Sequence, residues 1–148
     1  MKTSKAGIDF ICAQEGFRAT PYNDVAGYPT IGFGHLIKPG EVFGALSAVE
    51  ATALMMRDLV PFEECINKHV TVELKQNQFD ALVSFTYNVG PANFTSSTLL
   101  KLLNAGFTAQ AAREFPKWHR AGGKEINGLL IRRGKEMAMF LGEPNEAI

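Results

Sequence analysis

The chain has 148 residues, of which 46% are apolar and 20% charged, so it is long enough for one domain with a buried core. Its 15 basic and 15 acidic residues cancel, which argues against a general nucleic-acid-binding protein, since such proteins usually carry a strong positive excess. Two cysteines, Cys12 and Cys65, are too few for a disulfide scaffold, and we expect both to be free thiols.

The first predicted element is a helix from about Ser4 to Gly16. One face of it carries a stripe at the spacing i, i+3, i+4 and i+7, formed by Ile8, Ile11, Cys12 and Glu15. Desolvation and the negative end of the helix dipole both disfavour a charged carboxylate at the end of such a stripe, so the neutral, proton-donating form is favoured. The alternative is an ordinary glutamate that caps or ion-pairs at a helix end.

The same N-terminal segment also bears on targeting. Asp9 and Gln14 interrupt its apolar run, so it is predicted to be neither a signal peptide nor a membrane anchor. We therefore expect the protein to be made in the cytoplasm.

A polar, glycine-rich segment follows, in which residues 22–27 predict strand, turn and strand. Tyr28 and Thr30 then share one face by two-residue alternation. Gly32 and Gly34 lack side chains at points where a polymer can approach the backbone. The alternative is an ordinary tight turn, which would explain Asp24 but not Glu15 and Thr30 together.

The rest of the chain is predicted to be helical. A capping box from Ser47 to Glu50 opens a long helix that Pro61 is expected to kink or restart. A buried helix around 79–86 ends at Gly90 and Pro91, and a short helix around 99–103 follows. Beyond these, Thr108 is expected to cap a helix that carries Phe115 and Trp118, and the last helix spans about 127–141.

These elements predict an α+β fold that is predominantly α, folded as a single domain over residues 1–148. A small β-hairpin lobe of about residues 15–50 and a larger helical lobe are joined by the long helix. The helical lobe comprises about residues 60–148 together with the N-terminal helix.

Other common kinds of site find no support in the sequence. The three histidines, His35, His69 and His119, are far apart and form no ligand motif with the cysteines, so no metal site is expected. There is no Gly-x-Ser-x-Gly motif and no phosphate-binding glycine loop. Glu15, Asp24 and Thr30 remain, which are the groups that glycosidase chemistry requires: an acid for the leaving oxygen, a carboxylate for a water, and a hydroxyl to hold that water.

Three segments carry a family resemblance: Glu-Gly-Phe-Arg at 15–18, Gly-Tyr-Pro-Thr-Ile-Gly-Phe-Gly-His at 27–35, and Tyr-Asn-Val-Gly at 87–90. They closely resemble the phage-type lysozymes, the muramidase endolysins of glycoside hydrolase family 24. The resemblance runs from about Ile8 to Leu141, nearly the whole chain.

The resemblance implies hydrolysis, without a cofactor, of the β-1,4 bond between N-acetylmuramic acid and N-acetylglucosamine in peptidoglycan. By this resemblance, Glu15 is the general acid, Asp24 is the base of the carboxyl pair, and Thr30 holds the water. The resemblance also implies an inverting mechanism. Four residues are assigned to substrate binding: Tyr28, Gly34, Asn88 and Phe94. Asn88 has an alternative role as a cap for the end of its helix.

The resemblance also implies a structural pair between His35 and Asp58, for which the alternative is an exposed histidine and an unrelated aspartate. Trp118 is expected to pack in the core of the larger lobe. Arg132 and Arg133 either bind substrate carboxylates or lie on a solvated face of the last helix.

As partners, the resemblance implies peptidoglycan and a holin, through which the protein leaves the host cytoplasm to reach the cell wall. No nucleic acid and no stable membrane insertion are expected, and the protein is expected to be a monomer.

Two other functions remain open from the sequence. A lytic transglycosylase cleaves the same bond without water and needs the acid but not Asp24 or Thr30. A non-catalytic wall-binding or structural phage module needs none of the three residues.

Overall fold

The computed structural model describes residues 1–143, which form seven α-helices, one short 3-10 helix and five strands. The helices are α1 Lys5–Glu15, α2 Ala48–His69, α3 Gln76–Val89, α4 Pro91–Thr95, α5 Thr98–Asn104, α6 Thr108–Ala112 and α7 Asn127–Leu141, with the 3-10 helix at Phe115–Lys117. The strands are β1 Arg18–Asn23, β2 Pro29–Gly32, β3 His35–Leu36, β4 Arg120–Ala121 and β5 Lys124–Glu125. The predicted α+β class with mostly helical content is confirmed.

The chain divides into two compact units. The hairpin unit comprises Ile8–Val60, and the helical unit comprises Met1–Gly7 together with the chain from Pro61 onward. Helix α2 begins in the first unit and ends in the second. Most of α1 belongs to the hairpin unit, whereas the sequence had assigned it to the helical lobe. That the whole chain acts as one catalytic domain stays a prediction.

The hairpin unit is built from α1, a three-stranded antiparallel sheet and the first part of α2. In the sheet, β2 lies between β1 and β3, so Thr30 is paired with Tyr22 on one side and with Leu36 on the other. The apolar stripe of α1 is buried as predicted. Gly16 ends the helix in a left-handed conformation with φ of 75°, and its N–H donates to the Cys12 carbonyl at 3.0 Å.

Helix α2 begins with the capping box that the sequence predicted. The Ser47 N–H donates to Glu50 Oε1 at 2.9 Å, and the Glu50 N–H donates to Ser47 Oγ at 3.1 Å. The helix runs through Pro61 without restarting, and the alternative of a kink at Pro61 stays a prediction. Leu59 and Ile66 are fully buried on either side of the proline, and this continuous apolar stripe outweighs the one backbone hydrogen bond that the proline removes.

In the helical unit, α3 packs most extensively against α7. An aromatic core lies around Phe85, whose ring meets those of Phe115 and Trp118 edge-on at centroid distances of 5.3 and 5.7 Å. Trp118 thus packs against this core, as expected, but it remains partly exposed. No helix within residues 1–143 has both the length and the apolar character needed to cross a membrane.

The region after α5 differs from its prediction. Phe107, not Thr108, is the N-cap of α6, and that helix ends at Ala112. A separate 3-10 helix carries Phe115, and Pro116, which has no N–H to donate, lies within it. The small β4–β5 hairpin that follows was not predicted.

Candidate active site

The acid candidate, Glu15, is the last residue of α1 and is partly exposed. Its charge affects the apolar stripe of its own helix. Burial raises the pKa of the Cys12 thiol to about 11, and the negative charges of Asp9 and Glu15 add to this effect. A carboxyl group therefore lies where an apolar helix face meets solvent.

Asp24 follows β1 and fastens the loop of the hairpin. Its Oδ1 accepts hydrogen bonds from the N–H groups of Ala26 at 2.9 Å and Tyr28 at 2.8 Å. Its own N–H donates to the Tyr28 carbonyl at 2.9 Å. Oδ2 makes no hydrogen bond within residues 1–143, so one oxygen shapes the loop and the other is left to bind a water. The turn role and the catalytic role are thus compatible in one side chain.

Thr30 is 2% exposed, and its hydroxyl donates to the Tyr28 carbonyl at 2.9 Å. This bond uses the hydroxyl hydrogen and leaves the oxygen lone pairs to accept a hydrogen bond from a water. The Tyr28 side chain, at the loop end, is 62% exposed.

The strand register relates Asp24 to Thr30. Because Tyr22 pairs with Thr30 and Asn23 with Pro29, Asp24 comes opposite Tyr28. Both side chains bind the main chain of Tyr28: Asp24 Oδ1 accepts from its N–H, and Thr30 Oγ1 donates to its carbonyl. The two candidate side chains are therefore fastened to the same residue of the hairpin.

His35 forms the contact with Asp58 that the resemblance implied, and also a second contact that was not foreseen. Nδ1 lies 2.7 Å from Asp58 Oδ2, and Nε2 lies 3.0 Å from Glu41 Oε1. The imidazole is 5% exposed and has a carboxylate at each nitrogen. Only the doubly protonated ring donates to both carboxylates.

The signal for Glu41 was present in the sequence as Lys-Pro-Gly-Glu, a turn that brings residues 38 and 41 together. The Lys38 N–H donates to Glu41 Oε1 at 2.7 Å. This bond, followed by the hydrogen bond from His35, lowers the pKa of the Glu41 carboxyl below its usual value. Glu41 is therefore held as an anion beside the histidine.

Gly34 has a φ of 83°, a left-handed conformation that favours glycine. The turn between β2 and β3 therefore accounts for a glycine at position 34, and no ligand contact is needed to explain it. Substrate contacts by Gly34 and Tyr28 stay predictions.

Phe94 requires a correction. Its side chain is 0% exposed, and its ring lies 6.5 Å from that of Phe85. A residue enclosed in this way cannot touch a polymer, so its assignment to substrate binding is wrong. The assignment of Phe94 came from the family resemblance alone, and packing in the helical unit covers its side chain.

Asn88 is exposed near the end of α3. Its Oδ1 accepts a hydrogen bond from Arg133 Nη2. The C-terminus of α3 is capped instead by Gly90, whose N–H donates to the Thr86 carbonyl at 2.9 Å. The capping alternative for Asn88 is therefore wrong, and its role as a substrate contact stays a prediction.

Arg132 and Arg133 are buried, so the idea that they occupy a solvated helix face is wrong. Arg133 Nη1 donates to Glu136 Oε1, and Arg132 Nε lies 3.2 Å from Glu136 Oε2. The same Oε2 accepts from Ser84 Oγ at 2.5 Å. Burial lowers the pKa of the Arg133 guanidinium, and the charge of Glu136 opposes this effect.

The described part of the chain shows no candidate metal site. Residues 1–143 contain no group of three or more histidine, cysteine, aspartate or glutamate side chains that could hold a metal ion.

Comparison with known proteins gives consistent matches. Residues 12–136 match the family model described as phage lysozyme. The chain is 44% identical over 145 residues to the endolysin of Bacillus phage PZA, covering 95% of this chain and 55% of that protein. It therefore spans about half the length of that relative.

Two further relatives match over nearly their full length. The endolysin of Salmonella phage P22 is 39% identical over 148 residues, covering 95% of this chain and 99% of the relative. The solved muramidase domain of SpmX from Asticaccaulis excentricus has a TM-score of 0.86 at 35% identity, covering 95% of this chain and 97% of that one. On the family model and these matches, the chain belongs to the phage lysozyme family.

Proposed function

We propose that this protein is an endolysin that hydrolyses the β-1,4 bond between N-acetylmuramic acid and N-acetylglucosamine in bacterial peptidoglycan. One observation carries the proposal. Asp24 and Thr30 both bind the main chain of Tyr28, and within residues 1–143 Asp24 Oδ2 and the Thr30 lone pairs accept no hydrogen bond, in the same compact unit as Glu15. Membership of the phage lysozyme family supports it.

In the proposed reaction, Glu15 donates its proton to the glycosidic oxygen as the bond to the anomeric carbon breaks. A water donates one hydrogen to Asp24 Oδ2 and the other to Thr30 Oγ1, so its lone pair is left to attack the anomeric carbon from the opposite face. Asp24 takes the proton of that water as the new bond forms. One displacement inverts the configuration, and it needs roughly 6.5–9.5 Å between the two carboxyl groups to admit the water.

The hydrogen bonds on the other oxygen of Asp24 have a role in this scheme. Two N–H donors hold Oδ1, so the side chain cannot rotate away when Oδ2 binds the water. The donation from Thr30 to the Tyr28 carbonyl fixes its hydroxyl in the same way. Such fixed geometry is what an efficient water-activating pair needs.

The other parts of the proposal are substrate contacts by Tyr28, Gly34 and Asn88 and the absence of any cofactor. The protein would act as a monomer, and a holin would release it from the host cytoplasm.

Mass spectrometry of digested peptidoglycan tests the reaction. Hydrolysis adds one water per cleaved bond and produces reducing N-acetylmuramic acid ends. Products with 1,6-anhydro ends would identify a lytic transglycosylase instead, and intact glycan would identify a non-catalytic module.

Two variants test the roles of the carboxyl groups. Glu15→Gln cannot donate the proton and is expected to lose about 10²- to 10⁴-fold in rate while it remains folded. Asp24→Asn keeps an oxygen for the loop N–H groups but loses the base, so most activity should be lost as well. Glu50→Gln is the matched control, because glutamine also completes a capping box and Glu50 lies outside the proposed site. Substantial activity in Glu15→Gln would show that the acid is another group.

A further inference from the structure

Arg18, at the start of β1, has an exposed guanidinium that is held in place without being neutralised. Its Cζ lies 4.5 Å from the centre of the Tyr22 ring, which is the geometry of a cation–π contact. Within residues 1–143 the Arg18 side chain forms no hydrogen bond and no ion pair. Arginine donates through a rigid fork of N–H groups, and here those donors remain available to a ligand.

Arg133 provides a comparison within the same chain. Its guanidinium is also stacked on an aromatic ring, 5.1 Å from the centre of Phe85, but its charge is already balanced by the buried Glu136. Arg133 is 0% exposed, so no polymer can reach it. Arg18 differs in both respects, because it is exposed and no acidic side chain of the described residues pairs with it. The ring of Tyr22 therefore orients a cation whose charge is left for an external partner.

The sheet places this cation beside the candidate water site. Tyr22 and Thr30 are directly paired across β1 and β2, so their side chains lie on the same face of the sheet as cross-strand neighbours. The guanidinium of Arg18 lies over the ring of Tyr22, and all three residues belong to the hairpin unit. Arg18 is thus separated from Thr30 by a single side chain.

The charge of the hairpin unit gives a fixed cation a role there. The unit carries six acidic residues against three basic ones, which are Arg18, Lys38 and Arg57. An excess of negative charge repels an anionic polymer. Of the three basic side chains, Arg18 alone is stacked on an aromatic ring within the described residues. A cation that is oriented before its ligand arrives loses less conformational entropy on binding.

We propose that Arg18, positioned by the ring of Tyr22, binds an oxyanion of the wall polymer next to the bond that is cleaved. This inference rests on the proposed function and adds to it the charge of the group that is recognised. A planar guanidinium matches the two oxygens of a carboxylate or of a phosphate diester. Bacterial walls contain both, as free carboxylates of the stem peptides and as phosphates of polymers attached to the glycan.

Two forms of one substrate test the carboxylate. Soluble peptidoglycan fragments without phosphate polymers are prepared with their stem-peptide carboxylates either free or converted to amides. The unsubstituted protein should cleave the free form with a kcat/KM about 3- to 10-fold higher, mainly through KM, because the amide cannot form the ion pair. Arg18→Gln should cleave both forms equally well. A preference of the same size in Arg18→Gln would overturn the proposal.

Walls that carry a phosphate polymer test the second source. Initial rates of turbidity loss are compared before and after the polymer is removed with hydrofluoric acid. If the phosphate is the ligand, removal should slow the unsubstituted protein about 3- to 10-fold and leave the rate of Arg18→Gln unchanged, while the two fragments behave alike. If neither pair of substrates separates Arg18→Gln from the unsubstituted protein, the proposal is wrong.

Arg57→Gln is the matched control. It removes an exposed positive charge from the same unit, and Arg57 has no aromatic contact within the described residues. Its preference between the paired substrates should equal that of the unsubstituted protein. An equal loss of preference in Arg57→Gln would show that the total charge, rather than the place of Arg18, sets the preference, and would overturn the proposal.

Substitution of Tyr22 tests the positioning. Tyr22→Leu removes the ring, so the preference should fall toward that of Arg18→Gln, whereas Tyr22→Phe keeps the ring and should keep the preference. The readout is the ratio between two substrates, because any effect of Tyr22 on Thr30 slows both reactions and cancels. The double variant of Arg18→Gln and Tyr22→Leu should show no further loss. A full preference in Tyr22→Leu would refute the positioning role.

An equilibrium measurement separates the failure of this inference from that of the proposed function. Binding of the free and amidated fragments to Glu15→Gln is measured by calorimetry, with and without Arg18→Gln, so that no cleavage is needed. Equal affinities for the two fragments in both proteins, together with no effect of the phosphate polymer, would show that the oxyanion site is wrong. If the unsubstituted protein cleaves neither fragments nor walls, the proposed function is wrong, whatever the binding shows.

Discussion

The two compact units each contain a cluster of charged groups, and the two clusters differ in how far water reaches them. In the hairpin unit the buried His35 has two partly exposed partners, with Asp58 21% exposed and Glu41 27% exposed. In the helical unit both Arg133 and Glu136 are 0% exposed. The first cluster ties a strand to a helix beside solvent, whereas the second lies entirely within the protein.

The difference matters because the cost of an unpaired charge depends on whether water can replace the lost partner. A buried ion taken from water has a desolvation cost that its partners only offset, so removal of one partner leaves the other uncompensated. A partly exposed carboxylate can rehydrate. The two clusters should therefore respond very differently to the loss of a single carboxylate.

The largest effect is expected for Glu136→Gln. It leaves Arg133 buried without its anion, so the free energy of unfolding should fall by about 3 to 5 kcal/mol, as measured by urea denaturation. Glu125→Gln is the control, because Glu125 is 68% exposed and its pair with Arg120 is expected to contribute less than about 1 kcal/mol. Similar losses in both variants would show that burial does not set the cost.

A smaller effect is expected for Asp58→Asn. The amide oxygen can still accept from His35, and water reaches the site, so the loss should be about 1 kcal/mol in the same measurement. Glu64→Gln, exposed on the same helix, should change stability by less than about 0.5 kcal/mol. A loss for Asp58→Asn as large as that for Glu136→Gln would remove the distinction between the clusters.

The smallest effect is expected for Glu41, and it depends on pH. The folded state lowers the pKa of this carboxyl through the Lys38 N–H and His35. Its contribution to stability is therefore present above the unfolded value, about 4.5, and is lost as pH falls through the lower folded value. The difference in unfolding free energy between the unsubstituted protein and Glu41→Gln should shrink toward zero in acid. A difference that grows as pH falls would contradict the lowered pKa.

Local sequence signals predicted several elements well. The apolar stripe of α1, the Ser47–Glu50 capping box and the end of α3 at Gly90 each depend on residues within one or two turns of chain. Errors arose where distant packing decided the outcome. Pro61 did not interrupt α2, since the apolar residues on both sides of it are buried, and Phe94 was covered by the core.

The sequence by itself determined the class of the fold, the family and the candidates Glu15, Asp24 and Thr30, because these depend on periodicity, on turn residues and on a motif within one short segment. Only the tertiary structure decided that Asp24 uses one carboxylate oxygen for its loop and that Glu41 is the second partner of His35. It also decided that Arg133, adjacent to the equally charged Arg132, is buried against Asn88. Arg133 and Asn88 lie 45 positions apart along the chain, so no local pattern records that they meet. Asp24 and Glu41 bind partners only four to six positions away, but which of their atoms bond depends on how the hairpin folds.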